Sequence, residues 1–225
     1  MVCKDVFVSC KLSIIYVLLQ GKNIIKMGGK LKSVAAKPDT ETAYRAIMAE
    51  CRRLYAAKMQ DYGPAWRILR PSSLTDQILI KARRIRTLQV EKDQKVADGI
   101  REEFIGIINY AIISMIQLEF GWSDRIDMGK EQALERYDHY TEATFRLMCD
   151  KNHDYGEAWR EMRVDSLTDI ILMKLMRVKQ IEDHDGKTCV SEGLEANYMD
   201  MMNYAVFALI TMAEAGRAEA DKTVE

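Results

Sequence analysis

Apolar positions along this chain fall into segments with the period of an α-helix, and the same order of segments occurs twice. The first segment, about 41 to 60, follows the capping residues Asp39 and Thr40, carries acidic Glu41 in its opening turn and stops at Gly63. The second, about 74 to 90, opens on Ser-Leu-Thr-Asp (73 to 76), which predicts a capping box with Asp in place of Glu and Ser73 as the N-cap. The third, about 98 to 118, is apolar almost all round, as expected of a helix at the centre of a bundle. Corresponding segments lie at 137 to 151, at about 167 to 182, where Ser166 is the equivalent cap, and at about 192 to 213. No run alternates apolar and polar residues between turn signals, and no Gly-rich phosphate loop is present. The pattern predicts an all-α fold.

The repetition extends to individual residues. Lys-x-x-Asp-Tyr-Gly-x-Ala-Trp occurs at 58 to 66 and again at 151 to 159. Residues 61 to 86 match 154 to 179 at 15 of 26 positions, and after one extra residue 96 to 111 lies over 190 to 205. The chain is a tandem duplication, which predicts two three-helix units related by an approximate two-fold axis with the third helices at the centre. The expected division is an N-terminal extension at 1–40, repeat 1 at 41–120, repeat 2 at 130–215 and a polar tail at 216–225. Within the extension Met27 opens a stretch that reads as an alternative start; a signal peptide, which lacks a small-residue cleavage site here, and an amphipathic arm are the competing interpretations.

With 225 residues, 48% of them hydrophobic and 30% charged, the chain can bury a large core. The formal net charge of -1, with basic residues spread along helices, gives no footprint for a nucleic-acid partner. Within the first 40 residues the longest uncharged stretch, 12 to 21, is about half of what a membrane-spanning helix requires, so no membrane partner is expected. Five cysteines (Cys3, Cys10, Cys51, Cys149, Cys189) without a Cys-x-x-Cys pair suggest free thiols and a cytoplasmic location.

Residues kept in both copies have either a shared packing duty or a shared functional one. Trp66 and Trp159, Leu74 and Leu167, and Tyr110 and Tyr204 are most simply core. Asp61 and Asp154 fit packing poorly, because each stands at the carboxyl end of a helix, where the macrodipole disfavours an anion by roughly 0.3 to 1 kcal/mol. Lys58 and Lys151, three residues earlier, are one candidate partner for each; Lys81 with Arg84, and Lys174 with Arg177, on the second helix are another. Two readings stand: structural salt bridging, or a basic pocket for a phosphorylated ligand in which the carboxylates position the bases or hold a metal ion. Asn109 and Asn203, inside apolar runs, together with Asp200 and Glu103, predict an interior polar cluster that is either a structural network or a ligand site. Gly106 faces Asp200 across the alignment, and Glu103 faces Asn197, so the two copies are chemically unequal.

These elements, Lys-x-x-Asp-Tyr-Gly-x-Ala-Trp, Ser-Leu-Thr-Asp-x-x-Leu-x-Lys-x-x-Arg and Asn-Tyr-Ala, resemble the nucleotide modification associated domain, type 1, a helical family of bacteria and phages. The resemblance implies a role in nucleotide or modified-base metabolism. A more distant likeness is to the all-α nucleotide pyrophosphohydrolases of the MazG and dimeric dUTPase types, which hold magnesium with Glu-x-x-Glu on one helix and Glu-x-x-Asp on another. Neither copy has that set: Glu103 is followed by Gly106, and Asp200 is preceded by Asn197. The expectation is a nucleotide-binding protein, with Lys58, Lys81, Arg84, Lys151, Lys174 and Arg177 as phosphate ligands and Asp61, Glu103, Asn109, Asp154, Asp200 and Asn203 as polar or metal ligands. Magnesium is the candidate cofactor, a nucleoside phosphate the candidate partner, and homo-oligomerisation stays open. The competing expectation is a non-catalytic helical interaction module; whether the protein is an enzyme is not decided by these residues.

Overall fold

The computed structural model describes residues 24–27, 30–33, 39–91, 95–188 and 192–223. The remainder of the N-terminal extension, with Cys3 and Cys10, and Cys189 lie outside these residues. Residues up to Asp39 and residues from Thr40 onward are separate compact units. In the first, β1 (Ile24–Met27) and β2 (Lys30–Ser33) pair antiparallel, Ile24 opposite Ser33 and Met27 opposite Lys30. After this hairpin the regular elements described are all helical, as the all-α pattern predicts. Two β-branched residues, Ile24 and Ile25, precede a Gly28-Gly29 dipeptide, a sequence that favours a two-residue hairpin connection, but four-residue strands are too short for alternation to stand out.

In the second unit six α-helices are described: α1 (Thr40–Tyr62), α2 (Pro71–Val90), α3 (Ile100–Phe120), α4 (Lys130–Tyr155), α5 (Val164–Asp183) and α6 (Leu194–Thr223). Helices α1 and α4 stop where Gly63 and Gly156 adopt the left-handed conformation, each at φ 60°. The N-caps expected at Ser73 and Ser166 do not form. Helix α2 starts at Pro71, whose fixed φ and missing N–H suit the first helical position, so Ser73 lies inside the first turn. Helix α5 likewise starts at Val164, placing Ser166 in its first turn, with its N–H donating to Asp165 Oδ1 at 2.8 Å. Helix α6 continues through the charged residues expected to form a tail, as far as Thr223.

The third helices are the centre. Phe104, Ile107, Ile108, Ile112 and Ile116 of α3, and Met201, Met202, Ala205 and Val206 of α6, are fully or almost fully buried. Helix α3 is long and apolar enough to cross a membrane by composition alone, but most of it is buried inside the protein, as befits a core helix. It packs on α2, α4 and α6; α6 packs on α5 and α1; and α2 packs on α5. Each first helix therefore touches the third helix of the other repeat. Two hydrogen bonds record that symmetry: Tyr44 of α1 donates to Asn203 Oδ1 of α6 at 2.8 Å, and its counterpart Tyr137 of α4 donates to Asn109 Oδ1 of α3, also at 2.8 Å. The second helices repeat the theme less strictly, with Thr75 donating to Glu182 at 2.7 Å and Gln89 to Thr168 at 3.0 Å. The two repeats form one bundle with a common core.

Candidate functional site

Each repeat opens a cleft at the carboxyl end of its first helix. The glycine stop turns the chain into a short 3₁₀ segment, Ala65–Ile68 or Ala158–Glu161, which buries Trp66 in one cleft wall and stacks Trp159 on Phe207 of α6 in the other. Arginines anchor both segments, Arg67 buried and Arg160 half-buried. Arg67 donates to Asp127 Oδ1 at 2.8 Å, to Gly121 O at 2.6 Å and to Gln117, while Arg160 donates to Glu157 at 2.6 Å, Glu214 at 2.9 Å and Thr40 Oγ1 at 2.6 Å.

Cleft one, about 610 Å³, is lined by Tyr55, Lys58, Tyr62 and Trp66 on one side and by Lys81, Glu103, Gly106, Asn109 and Tyr110 on the other. Cleft two, about 290 Å³, is lined by Lys151, Asn152, Tyr155, Trp159, Asp200, Asn203, Tyr204 and Phe207. Nearly every lining position of cleft two has its repeat-related counterpart in cleft one. The clefts are therefore the same structure built twice, with aromatic walls and lysines facing a third helix that carries an asparagine.

The indole Nε1 atoms of Trp66 and Trp159 are buried and make no hydrogen bond. The carboxamides of Asn109 and Asn203 accept from Tyr137 and Tyr44 through Oδ1, and their Nδ2 donors have no partner among the described residues. The interior polar cluster is thus partly a structural network, tying each third helix to the opposite repeat, and partly a set of donors at the clefts.

Charge is arranged differently in the two copies. In repeat 1 the buried Glu103 carboxylate accepts from Lys81 Nζ at 3.1 Å and from Arg84, whose other nitrogen donates to Asp98 O at 2.6 Å. Lys58 makes no ion pair or hydrogen bond among the described residues and lines the cleft. In repeat 2 the buried Asp200 accepts from Lys151 at 2.6 Å through Oδ1 and from buried Lys174 at 2.5 Å through Oδ2. Burial alone would lower the pKa of the Lys151 ammonium; the hydrogen bond and charge of Asp200 outweigh it, and the net shift is upward. Arg177 is exposed and makes no ion pair among the described residues, because the partner of its counterpart, Glu103, is replaced by Asn197.

Asp61 and Asp154 stand apart from this arrangement. Both are exposed, neither lines a cleft, and neither meets the second-helix bases expected to hold it: Lys81 pairs with Glu103 and Lys174 with Asp200. Among the described residues the one ion pair of Asp154 is with His153, at 3.1 Å. Spacing fixed the bases to one face of the second helix, but that face points at helix three and not at helix one.

The residues present do not fit a protein-held magnesium ion. All four oxygens of Glu103 and Asp200 accept from ammonium or guanidinium groups, whose positive charge opposes a second cation. Among the described residues no group of three His, Cys, Asp or Glu side chains could hold a metal ion. Tyr44 and Tyr137 escaped the sequence reading, although each opens the loosely matched upstream segment and is identical in both copies.

Comparison with curated proteins and with solved structures returned no match. Comparison with protein families matched the chain twice, at residues 58–118 and 151–212, the stretches that run from the helix-one lysine to the third helix of each cleft. The two matches cover more than half of the chain, and it belongs to the nucleotide modification associated domain 1 family as a tandem duplication.

Proposed function

We propose that the protein binds a nucleotide in cleft one, with the base against Tyr62, Trp66 and Tyr110 and the phosphates toward Lys58 and Lys81. The observation that carries this reading is the combination, within about 610 Å³, of an aromatic wall, an ammonium without an anion among the described residues, and the Asn109 Nδ2 donor, which has no partner among them. Aromatic faces accept any base by stacking, each stack contributing roughly 1 to 3 kcal/mol, while a lysine ammonium forms charge-assisted hydrogen bonds to phosphate. The family's association with nucleotide modification agrees with such a ligand. Cleft one is large enough for a nucleoside phosphate, within the range of small-molecule sites.

A second reading, a non-catalytic interaction module, is favoured by the exposure of Leu54, Tyr62 and Ile68 at the rim of cleft one, which suits a protein partner. A thermal-shift panel of ribo- and deoxyribonucleoside mono- and triphosphates, with and without magnesium, separates the two. Nucleotide binding gives a melting temperature that rises with ligand concentration, because a ligand at a hundredfold excess over Kd adds about 2.7 kcal/mol to the stability. A flat response to every nucleotide would remove the first reading.

A further inference from the structure

We infer that the Asp200 carboxylate fills, in repeat 2, the anion position that repeat 1 leaves to its ligand, so that the chain carries one open nucleotide site and one self-filled site. This rests on the reading of cleft one as the nucleotide site. Asp200 bridges two lysines from different helices, Lys151 of α4 at 2.6 Å and Lys174 of α5 at 2.5 Å. A carboxylate and a phosphate present the same acceptors to ammonium groups, and Asp200 meets both lysines as a bound phosphate would.

In repeat 1 the equivalent position is Gly106, which has no side chain to offer. The Lys81 stem lies against this glycine: a Cβ there would stand 2.6 Å from Lys81 Cε. The carboxylate has moved back by one helical turn, to Glu103, where it reaches Lys81 and Arg84 but leaves Lys58 without an anion. Repeat 2 shows the reverse: Asn197 replaces the glutamate, its Nδ2 turns back to Gly193 O at 2.8 Å, and its buried Oδ1 has no partner. The volumes follow, about 610 Å³ against about 290 Å³. A nucleotide entering cleft two would have to strip both lysines from a buried carboxylate and leave that charge unpaired beside its own phosphates, which is strongly unfavourable.

The test is calorimetric stoichiometry on the full chain, using whichever of ATP, GTP, CTP and dTTP gives the largest thermal shift, with inorganic pyrophosphate as a base-free probe. Wild type should bind one nucleotide. Gly106→Asp, which brings the repeat 2 arrangement to repeat 1, should weaken that binding roughly tenfold or more while circular dichroism stays unchanged. Asn197→Glu combined with Asp200→Gly, which brings the repeat 1 arrangement to repeat 2, should raise the stoichiometry to two. Should that double variant fail to fold, two single changes decide the matter: Lys58→Met weakens binding and Lys151→Met leaves the affinity unchanged. Two sites in wild type, or equal losses from Lys58→Met and Lys151→Met, would overturn the self-filled site while leaving nucleotide binding intact. No binding by wild type would remove both.

Discussion

Replacing Tyr44 by Phe keeps the buried ring and removes one hydroxyl, so its effect isolates the hydrogen bond to Asn203. Both residues are interior, Tyr44 fully so and Asn203 at 4% exposure, and burial pushes the phenol pKa upward, so the hydroxyl keeps its proton and donates. Without it the Asn203 Oδ1 acceptor is left without its donor in the interior, a loss of about 1 to 3 kcal/mol. For a folded unit of this size that lowers the melting temperature by roughly 2 to 12 °C. Tyr137→Phe, which strands Asn109 in the same way, should cost a similar amount. The two bonds share no partner, so the double variant should lose about the sum.

Urea unfolding monitored by circular dichroism measures these losses. Because each bond crosses from one repeat to the other, unfolding should remain a single transition in every variant. Pairing Tyr44→Phe with Asn203→Leu should recover part of the loss, since removing both partners leaves no unsatisfied group. Variants within about 0.3 kcal/mol of wild type would show that the reciprocal bonds do not hold the repeats together. A biphasic melt would show that the halves are independent.

Asp61→Asn and Asp154→Asn should each leave stability within about 0.5 kcal/mol of wild type by the same urea assay, because both carboxylates are exposed and outside the cleft networks. Glu182→Gln supplies the residue that repeat 1 carries at Gln89, and it should stabilise the protein at neutral pH. Burial, more than any other influence, raises the pKa of Glu182 above the usual carboxylate range, against the opposing hydrogen bond from Thr75. A raised pKa means that the folded state binds the proton more tightly, so the ionised form weakens folding above that pKa; the gain from Gln should shrink as pH falls through it. Melts of both proteins from pH 7 to pH 3.5 check the sign, and a gap that widens toward acid would contradict it.

Helix existence and helix stops were legible because they depend on local chemistry: a 3.6-residue period, and glycine where φ must be positive. Helix starts were less so, since Ser73 and Pro71 both signal an N-terminus and the proline, two residues earlier, takes the first helical position. The polar residues of the third helices were legible as anomalies, but their partners were not. Periodicity shows which face of a helix is buried and carries no information on which helix covers it, so Tyr44 and Asn203, 159 positions apart, could not be joined from sequence. The dipole argument singled out Asp61 and Asp154, yet at an exposed helix end water and salt screen that cost toward its lower bound. Nothing in the structure explains why both are repeated.

Duplication gives a physical reason for the way the two copies diverged. A buried second-helix lysine requires a carboxylate on the third helix, because an unpaired buried charge costs several kcal/mol; Lys174 has Asp200 and the more accessible Lys81 has Glu103. Residues one turn apart on that helix reach the same lysine, so the carboxylate can stand at either position provided that one of the two holds it. Gly106 with Glu103, and Asp200 with Asn197, are the two solutions. In a homodimer both sites would have to adopt the same one. A fused pseudo-dimer can adopt both, keep the charge balance of each half, and let the register of one carboxylate decide which helix-one lysine faces its cleft without an anion.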